Sequence, residues 1–123
     1  MNLVDSSGWL EYFTDDKNSK YFAPAIENTK KIIVSTINLY EVYKKILQES
    51  NENNAIEALG LMQQAKVVDV TNTSSIQVAR TSYEYKIPMV DSLIYTTGRL
   101  NDAVVWTQDY DFKKLEGVKF IKK

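Results

Sequence analysis

Apolar positions along this chain come in short, dense runs separated by longer stretches with helical spacing. Leu3-Val4 is the first run and ends at once in Asp5-Ser6-Ser7-Gly8. Trp9, Leu10, Tyr12 and Phe13 then cluster as on one helical face, before a polar break from Asp15 to Ser19. Tyr21 to Asn28 is expected to form a second helix with Pro24 in its first turn, where a missing N–H costs little. Ile32-Ile33-Val34 is β-branched throughout and reads as a buried strand. A long helix from about Thr36 to Ser50 follows, with Leu39, Val42, Tyr43, Ile46 and Leu47 on its core stripe. Asn53 to Ala65 predicts another helix, and Val67-Val68-Asp69-Val70 a strand. Thr73 or Ser74 is expected to cap a helix running to about Tyr85. Pro88 opens one more, with Val90, Leu93, Ile94, Thr97 and Leu100 aligned. Ala103 to Trp106 is a strand, Asp111 to Leu115 a short helical turn, and Val118 to Ile121 a closing strand.

Strands and helices therefore alternate from end to end, with no repeat or linker, over a length that makes one domain of residues 1–123. That order predicts an α/β fold, a three-layer α/β/α sandwich around a central, mostly parallel sheet built from right-handed crossovers. In such sheets ligands gather beyond the carboxyl ends of the strands, near the switch point of strand order.

Composition narrows the chemistry that could sit there. Hydrophobic residues make up 44% and charged residues 25%, as in ordinary globular domains. No apolar run approaches the roughly 20 residues needed to span a bilayer, so no membrane association is expected. Met1 to Asp5 lacks the basic start of a signal peptide, which predicts cytoplasmic residence. There is no Cys and no His. Thiolate nucleophiles, cysteine zinc sites, imidazole ligation and Ser-His-Asp catalysis are thereby excluded. Catalysis must run on carboxylates, Lys, Tyr or hydroxyls, with a hard, oxygen-loving cation as the natural helper. Net charge is −1, so no global field announces a nucleic-acid partner. The basic residues are nevertheless uneven: Lys113, Lys114, Lys119, Lys122 and Lys123 face only Glu116 near the end of the chain. A solvated tail accounts for them as readily as a phosphate-binding surface does.

Four acids stand where such a fold would bring them together. Asp5 follows the first strand and Asp109 the penultimate one; if those strands are neighbours, the two converge on one crevice. Glu41 lies early in the long helix and Asp91 in the first turn after Pro88. Each also has a local use. Asp5 and Asp109 suit turns or N-caps, Glu41 suits an i,i+4 pair with Lys45, and Asp91 suits a helix dipole. Taken jointly, four carboxylates at about 4 Å would repel by several kcal/mol per pair at an effective dielectric near 20. Mg²⁺ or Mn²⁺ resolves that repulsion, and a carboxylate-held ion suits phosphodiester hydrolysis.

With these residues in place, the chain resembles the PIN-domain ribonucleases, and among them the VapC-type toxins of toxin–antitoxin pairs. The likeness runs from Val4-Asp5-Ser6-Ser7-Gly8-Trp9-Leu10 through Ser35-Thr36-Ile37-Asn38-Leu39-Tyr40-Glu41-Val42 and Asp91-Ser92-Leu93-Ile94 to Thr107-Gln108-Asp109-Tyr110-Asp111-Phe112, the T-x-D-x-D-F pattern. It departs from the family in the helix after Asp91, where Tyr95, Thr96 and Thr97 replace small residues, and at Trp106. The resemblance implies a Mg²⁺- or Mn²⁺-dependent endoribonuclease with catalytic residues Asp5, Glu41, Asp91 and Asp109. Asp5, Asp91 and Asp109 would hold metal, with Glu41 completing the set or acting as general base. Ser6, Thr107 and Asp111 would support them from behind. It also implies an RNA substrate, a cognate antitoxin protein and a homodimer or higher homo-oligomer. Lys44, Lys45, Arg99 or the lysine-rich tail are candidates for phosphate contacts, and some of the eight Tyr for base stacking.

Two other readings fit a domain of this size. A PIN-like scaffold without catalysis would bind protein or RNA only, but such scaffolds typically lose an acid, and all four are present. A phosphorelay receiver needs an acid pair after the first strand and an Asp ending the third, whereas Asp69 is expected inside its strand.

Overall fold

A computed structural model describes all residues from Met1 to Lys123. Five strands, β1 (Asn2–Val4), β2 (Ile32–Ser35), β3 (Lys66–Val68), β4 (Val104–Thr107) and β5 (Val118–Phe120), form one sheet in the order β3-β2-β1-β4-β5. Every pairing is parallel, so the mostly parallel sheet expected is wholly so. The six α-helices are α1 (Ser6–Phe13), α2 (Ser19–Glu27), α3 (Thr36–Glu49), α4 (Glu52–Met62), α5 (Asn72–Tyr85) and α6 (Met89–Leu100). None is long and apolar enough to cross a membrane.

The period-two alternation of the strands divides the core between two faces. Val4, Ile32 and Val34 meet Trp9 of α1, Phe22 of α2, Val42 of α3 and Met62 of α4 on one side. Leu3, Ile33 and Val105 meet Ile94 and Tyr95 of α6 on the other, with Phe112. This is the three-layer sandwich predicted. Gly8 and Gly98 let the helices lie close on the sheet. A Cβ at Gly8 would stand 2.6 Å from Val4, and one at Gly98 2.7 Å from Val105.

Several local expectations shift. Helix α2 begins at Ser19, so Pro24 falls in its interior and not in its first turn. Strand β3 ends at Val68, which puts Asp69 just beyond the strand and not within it. Asp69 still follows an edge strand, two positions from β1, so it does not pair with Asp5 as in a receiver domain. The cap of α5 is Thr71, two residues before Thr73 and three before Ser74. Its hydroxyl accepts from the Ser74 N–H, and Ser74 Oγ accepts from the Thr71 N–H in return.

Candidate functional site

The chain leaves β1 toward β2 and β3, then crosses back to place β4 on the opposite side of β1. The carboxyl ends of β1 and β4 therefore flank the switch point. Asp5 and the Thr107–Asp109 segment emerge there side by side, pinned by the bond from the Asp5 N–H to the Trp106 carbonyl (2.9 Å).

Asp5 is 3% exposed, and its side chain does not cap α1. Its Oδ2 instead accepts from the Ser7 hydroxyl (2.7 Å) and the Thr107 hydroxyl (3.0 Å). Burial pushes its carboxyl up to about 6; the two hydroxyl bonds oppose this, while the charges of Asp109 and Glu41 add to it. The supporting hydroxyl from α1 is thus Ser7, in place of the expected Ser6. Ser6 Oγ accepts from Asn38 Nδ2 (2.9 Å), and Asn38 Oδ1 accepts from the Ser35 N–H (3.0 Å). That buried chain ties the start of α1 to the start of α3, one turn before Glu41.

Glu41 is half-buried and has no cationic partner, because Lys45 pairs with Glu49 (2.9 Å) instead. Thr107 Oγ1, while donating to Asp5, also accepts from the Asp109 N–H (2.9 Å). Asp109 Oδ1 in turn accepts from the Asp111 N–H (2.9 Å), capping a 3₁₀ turn over Tyr110–Phe112. That turn swings Asp111 around. Carboxylate oxygens of Asp91, Asp109 and Asp111 lie within 4.8 Å of one another. Asp91 is pushed up to about 8, first by burial, then by its hydrogen bond with Asp111 and by the charges of Asp109, Asp5 and Asp111.

The structure thus brings Asp91, Asp109 and Asp111 into one tight group, with Asp5 buried next to them and Glu41 close enough for its charge to act on Asp5. None of the five forms a salt bridge; the chain's ion pairs are Lys45–Glu49 and Arg99–Glu116. An all-oxygen donor set with no protein cation suits a hard divalent ion. Asp111, expected behind the metal ligands, stands among the grouped carboxylates.

Sequence reasoning missed a second polar layer. Glu11 of α1 is 4% exposed and accepts from the Asn18 N–H (2.9 Å) and from Gln108 Nε2 (3.1 Å). Asn18 Nδ2 donates to Gln108 Oε1 (2.9 Å) and to the Lys122 carbonyl (3.2 Å). These bonds clamp the residue between Thr107 and Asp109 onto α1. An acid set among Trp9, Leu10, Tyr12 and Phe13 was the one sequence signal available. A groove of about 810 Å³, with Leu10, Glu11, Ile46, Leu61 and Gln108 among its walls, opens between α1, α3 and α4.

A wholly parallel α/β/α domain with unpaired carboxylates at its switch point is the class that fold and site define. The chain belongs to the PIN domain family, whose model matches residues 3–118. No curated protein is a sequence match. Among solved structures it resembles a toxin–antitoxin complex from Klebsiella pneumoniae at 18% identity, covering 97% of this chain and 96% of that one, TM-score 0.81. VapC20 of Mycobacterium tuberculosis, a sarcin–ricin loop cleaving toxin, is similar at 17% identity, with 96% and 97% covered and TM-score 0.79. VapBC2 of Rickettsia felis bound to a promoter DNA fragment gives 15% identity, 98% and 97% coverage and TM-score 0.76. At these identities the likeness is one of fold.

Proposed function

We propose that this protein is a divalent-metal-dependent endoribonuclease and the toxin of a toxin–antitoxin pair, acting in the cytoplasm. The observation that carries the reading is the cluster of Asp91, Asp109 and Asp111, backed by Asp5, with no cation among its partners. PIN family membership and the toxins among its structural likenesses support it.

Asp91, Asp109 and Asp111 would hold Mg²⁺ or Mn²⁺, with Asp5 reaching the ion directly or through water. Bound there, the ion supplies Lewis-acid activation of the scissile phosphate and offsets charge on the leaving oxygen. Ser7 and Thr107 keep the Asp5 carboxylate oriented, and Thr107 sets Asp109 through the same hydroxyl. Glu41, without a cationic partner and close enough for its charge to be felt at Asp5, is the acid available to take the proton of the attacking water. A cognate antitoxin segment would lie in the groove between α1, α3 and α4, whose walls include Ser7, the hydroxyl donor to Asp5, and Gln108, the neighbour of Asp109. Exposed Ile76, Tyr83 and Met89 on the α5–α6 face support a homodimer.

The test is cleavage of RNA with Mg²⁺ or Mn²⁺, halted by EDTA and leaving 5′-phosphate and 3′-hydroxyl ends. Asp5→Ala, Asp91→Ala and Asp109→Ala should each cost orders of magnitude in rate while the far-ultraviolet circular dichroism stays native. Cleavage that persists in EDTA, or ends in a cyclic phosphate, overturns the reading.

A further inference from the structure

We infer that Tyr110 is a base-stacking platform that holds an unpaired nucleotide of a single-stranded RNA beside the acids. The inference rests on the nuclease reading above and deepens it by naming the substrate's form. Tyr110 lies between Asp109 and Asp111, two members of the carboxylate group, yet the residue is 55% exposed. Its neighbours Asp109 and Asp111 are bonded to each other through the 3₁₀ turn, so the ring is carried by the same rigid turn as the acids.

The ring does not swing freely. Its centroid sits 5.1 Å from that of Phe120, tilted by 58°, at the end of β5, whose residue Phe120 is paired in register with Thr107. Lys113 Nζ lies 5.6 Å from the Tyr110 centroid and 5.7 Å from that of Phe120. An exposed aromatic buttressed by a second ring costs little entropy to present, and a base stacking on it is bound whatever its sequence. The ammonium beside both rings is placed to meet a phosphate of that nucleotide's backbone, next to carboxylates that repel phosphate until a cation joins them.

The order across the carboxyl edge of the sheet then reads Asp5 after β1, Asp109 after β4, and the aromatic pair at β5. A strand crossing that edge would set its scissile phosphate at the acids and an adjacent base on Tyr110. In a duplex that base is stacked and paired, and its face is not available. The other exposed tyrosines carry no such arrangement. Tyr40 adjoins Glu41 and has Lys44 Nζ 5.6 Å from its ring but, like Tyr83, meets no second aromatic ring. Tyr85 meets Tyr95 on the α5–α6 side, and none of the three stands between two of the grouped carboxylates.

The test is fluorescence anisotropy with a short labelled oligoribonucleotide of mixed sequence, single-stranded or annealed to its complement. Metal-free protein is used, so binding is read without cleavage. Wild type should prefer the single strand. Tyr110→Ala should weaken single-strand binding roughly five- to 150-fold, Tyr110→Phe should stay within about threefold, and the thermal midpoint should not move. Lys113→Gln should lower the salt slope of binding by about 0.7, the value for one phosphate on a single strand. In the nuclease assay Tyr110→Ala should raise KM by a similar factor and leave kcat nearly unchanged. Single-strand affinity untouched by Tyr110→Ala overturns the inference and leaves the ring to a protein partner. Equal losses in Tyr110→Phe and Tyr110→Ala overturn it as well, since the hydroxyl and not the ring would then matter. Wild-type protein that binds RNA through Tyr110 but never cleaves it would fail the nuclease reading alone.

Discussion

Replacing Asp5 with Asn isolates the cost of assembling the acids. A carboxyl with an ordinary pKa of 3.8 that burial raises to about 6 is harder to ionise in the folded protein than in the unfolded chain. Below pH 3.8 it is protonated in both states and costs nothing. As pH rises toward 6 the unfolded chain releases its proton first, so stability falls, and above 6 the whole cost stands. The difference corresponds to about 3 kcal/mol at pH 8. The amide keeps an oxygen for the Ser7 and Thr107 hydroxyls and carries no charge toward Asp109 or Glu41. Allowing about 1 kcal/mol for a buried N–H group without an ideal partner, the net gain is about 2 kcal/mol. For a domain of this size that raises Tm by about 8 °C. Differential scanning calorimetry in EDTA, from pH 4 to pH 8, should show Asp5→Asn and wild type close at pH 4, separating as pH rises to about 6, and keeping that gap to pH 8. Adding Mn²⁺ should restore wild type through binding to the native state, by about 2.7 kcal/mol at 100 times Kd. The variant should gain far less. A lower Tm for Asp5→Asn in EDTA at pH 8, or a difference independent of pH, would refute the reasoning.

Asp91, pushed up to about 8 by burial and by its acidic neighbours, must lose a proton when a cation binds. Mn²⁺ affinity should therefore climb steadily from pH 6 to pH 8, with proton release in calorimetric titration; a pH-independent affinity contradicts this. Glu11→Leu leaves the Asn18 N–H and the Gln108 amide without their acceptor and frees the segment between Thr107 and Asp109. Mn²⁺ affinity should fall roughly 10- to 100-fold, with kcat reduced and KM for RNA little changed. Loss of stability with metal affinity intact would make the Glu11 layer purely structural.

Much of the molecule was legible along the chain because its information is local. The alternation of β-branched runs with helical stripes predicts five strands, their helices and the layer order, since period two and period 3.6 are printed in the residues themselves. The acids at strand-to-helix junctions were equally readable, because a parallel sheet sends every such junction to the same edge. Boundaries were less so. Pro24 is as compatible with a first turn as with an exposed interior, and only the packing of Phe22, Ala25 and Ile26 decides that α2 starts at Ser19.

What the sequence by itself determined is the inventory: an α/β fold, no imidazole or thiolate, and carboxylates as the clustered chemistry. Which atoms meet was decided by the tertiary structure. Ser6 and Ser7 are equivalent as letters, but one residue along a helix turns the side chain by about 100°, so Ser7 reaches Asp5 and Ser6 reaches Asn38. Lys45 has an acid four residues away on either side, and in the fold it takes Glu49, leaving Glu41 unpaired. Asp111 joins Asp91 and Asp109 because a 3₁₀ turn, held by the Asp109 side chain, curls it back. Glu11 and Gln108 are 97 positions apart, and no local pattern can announce a bond between groups that only the adjacency of β1 and β4 brings together.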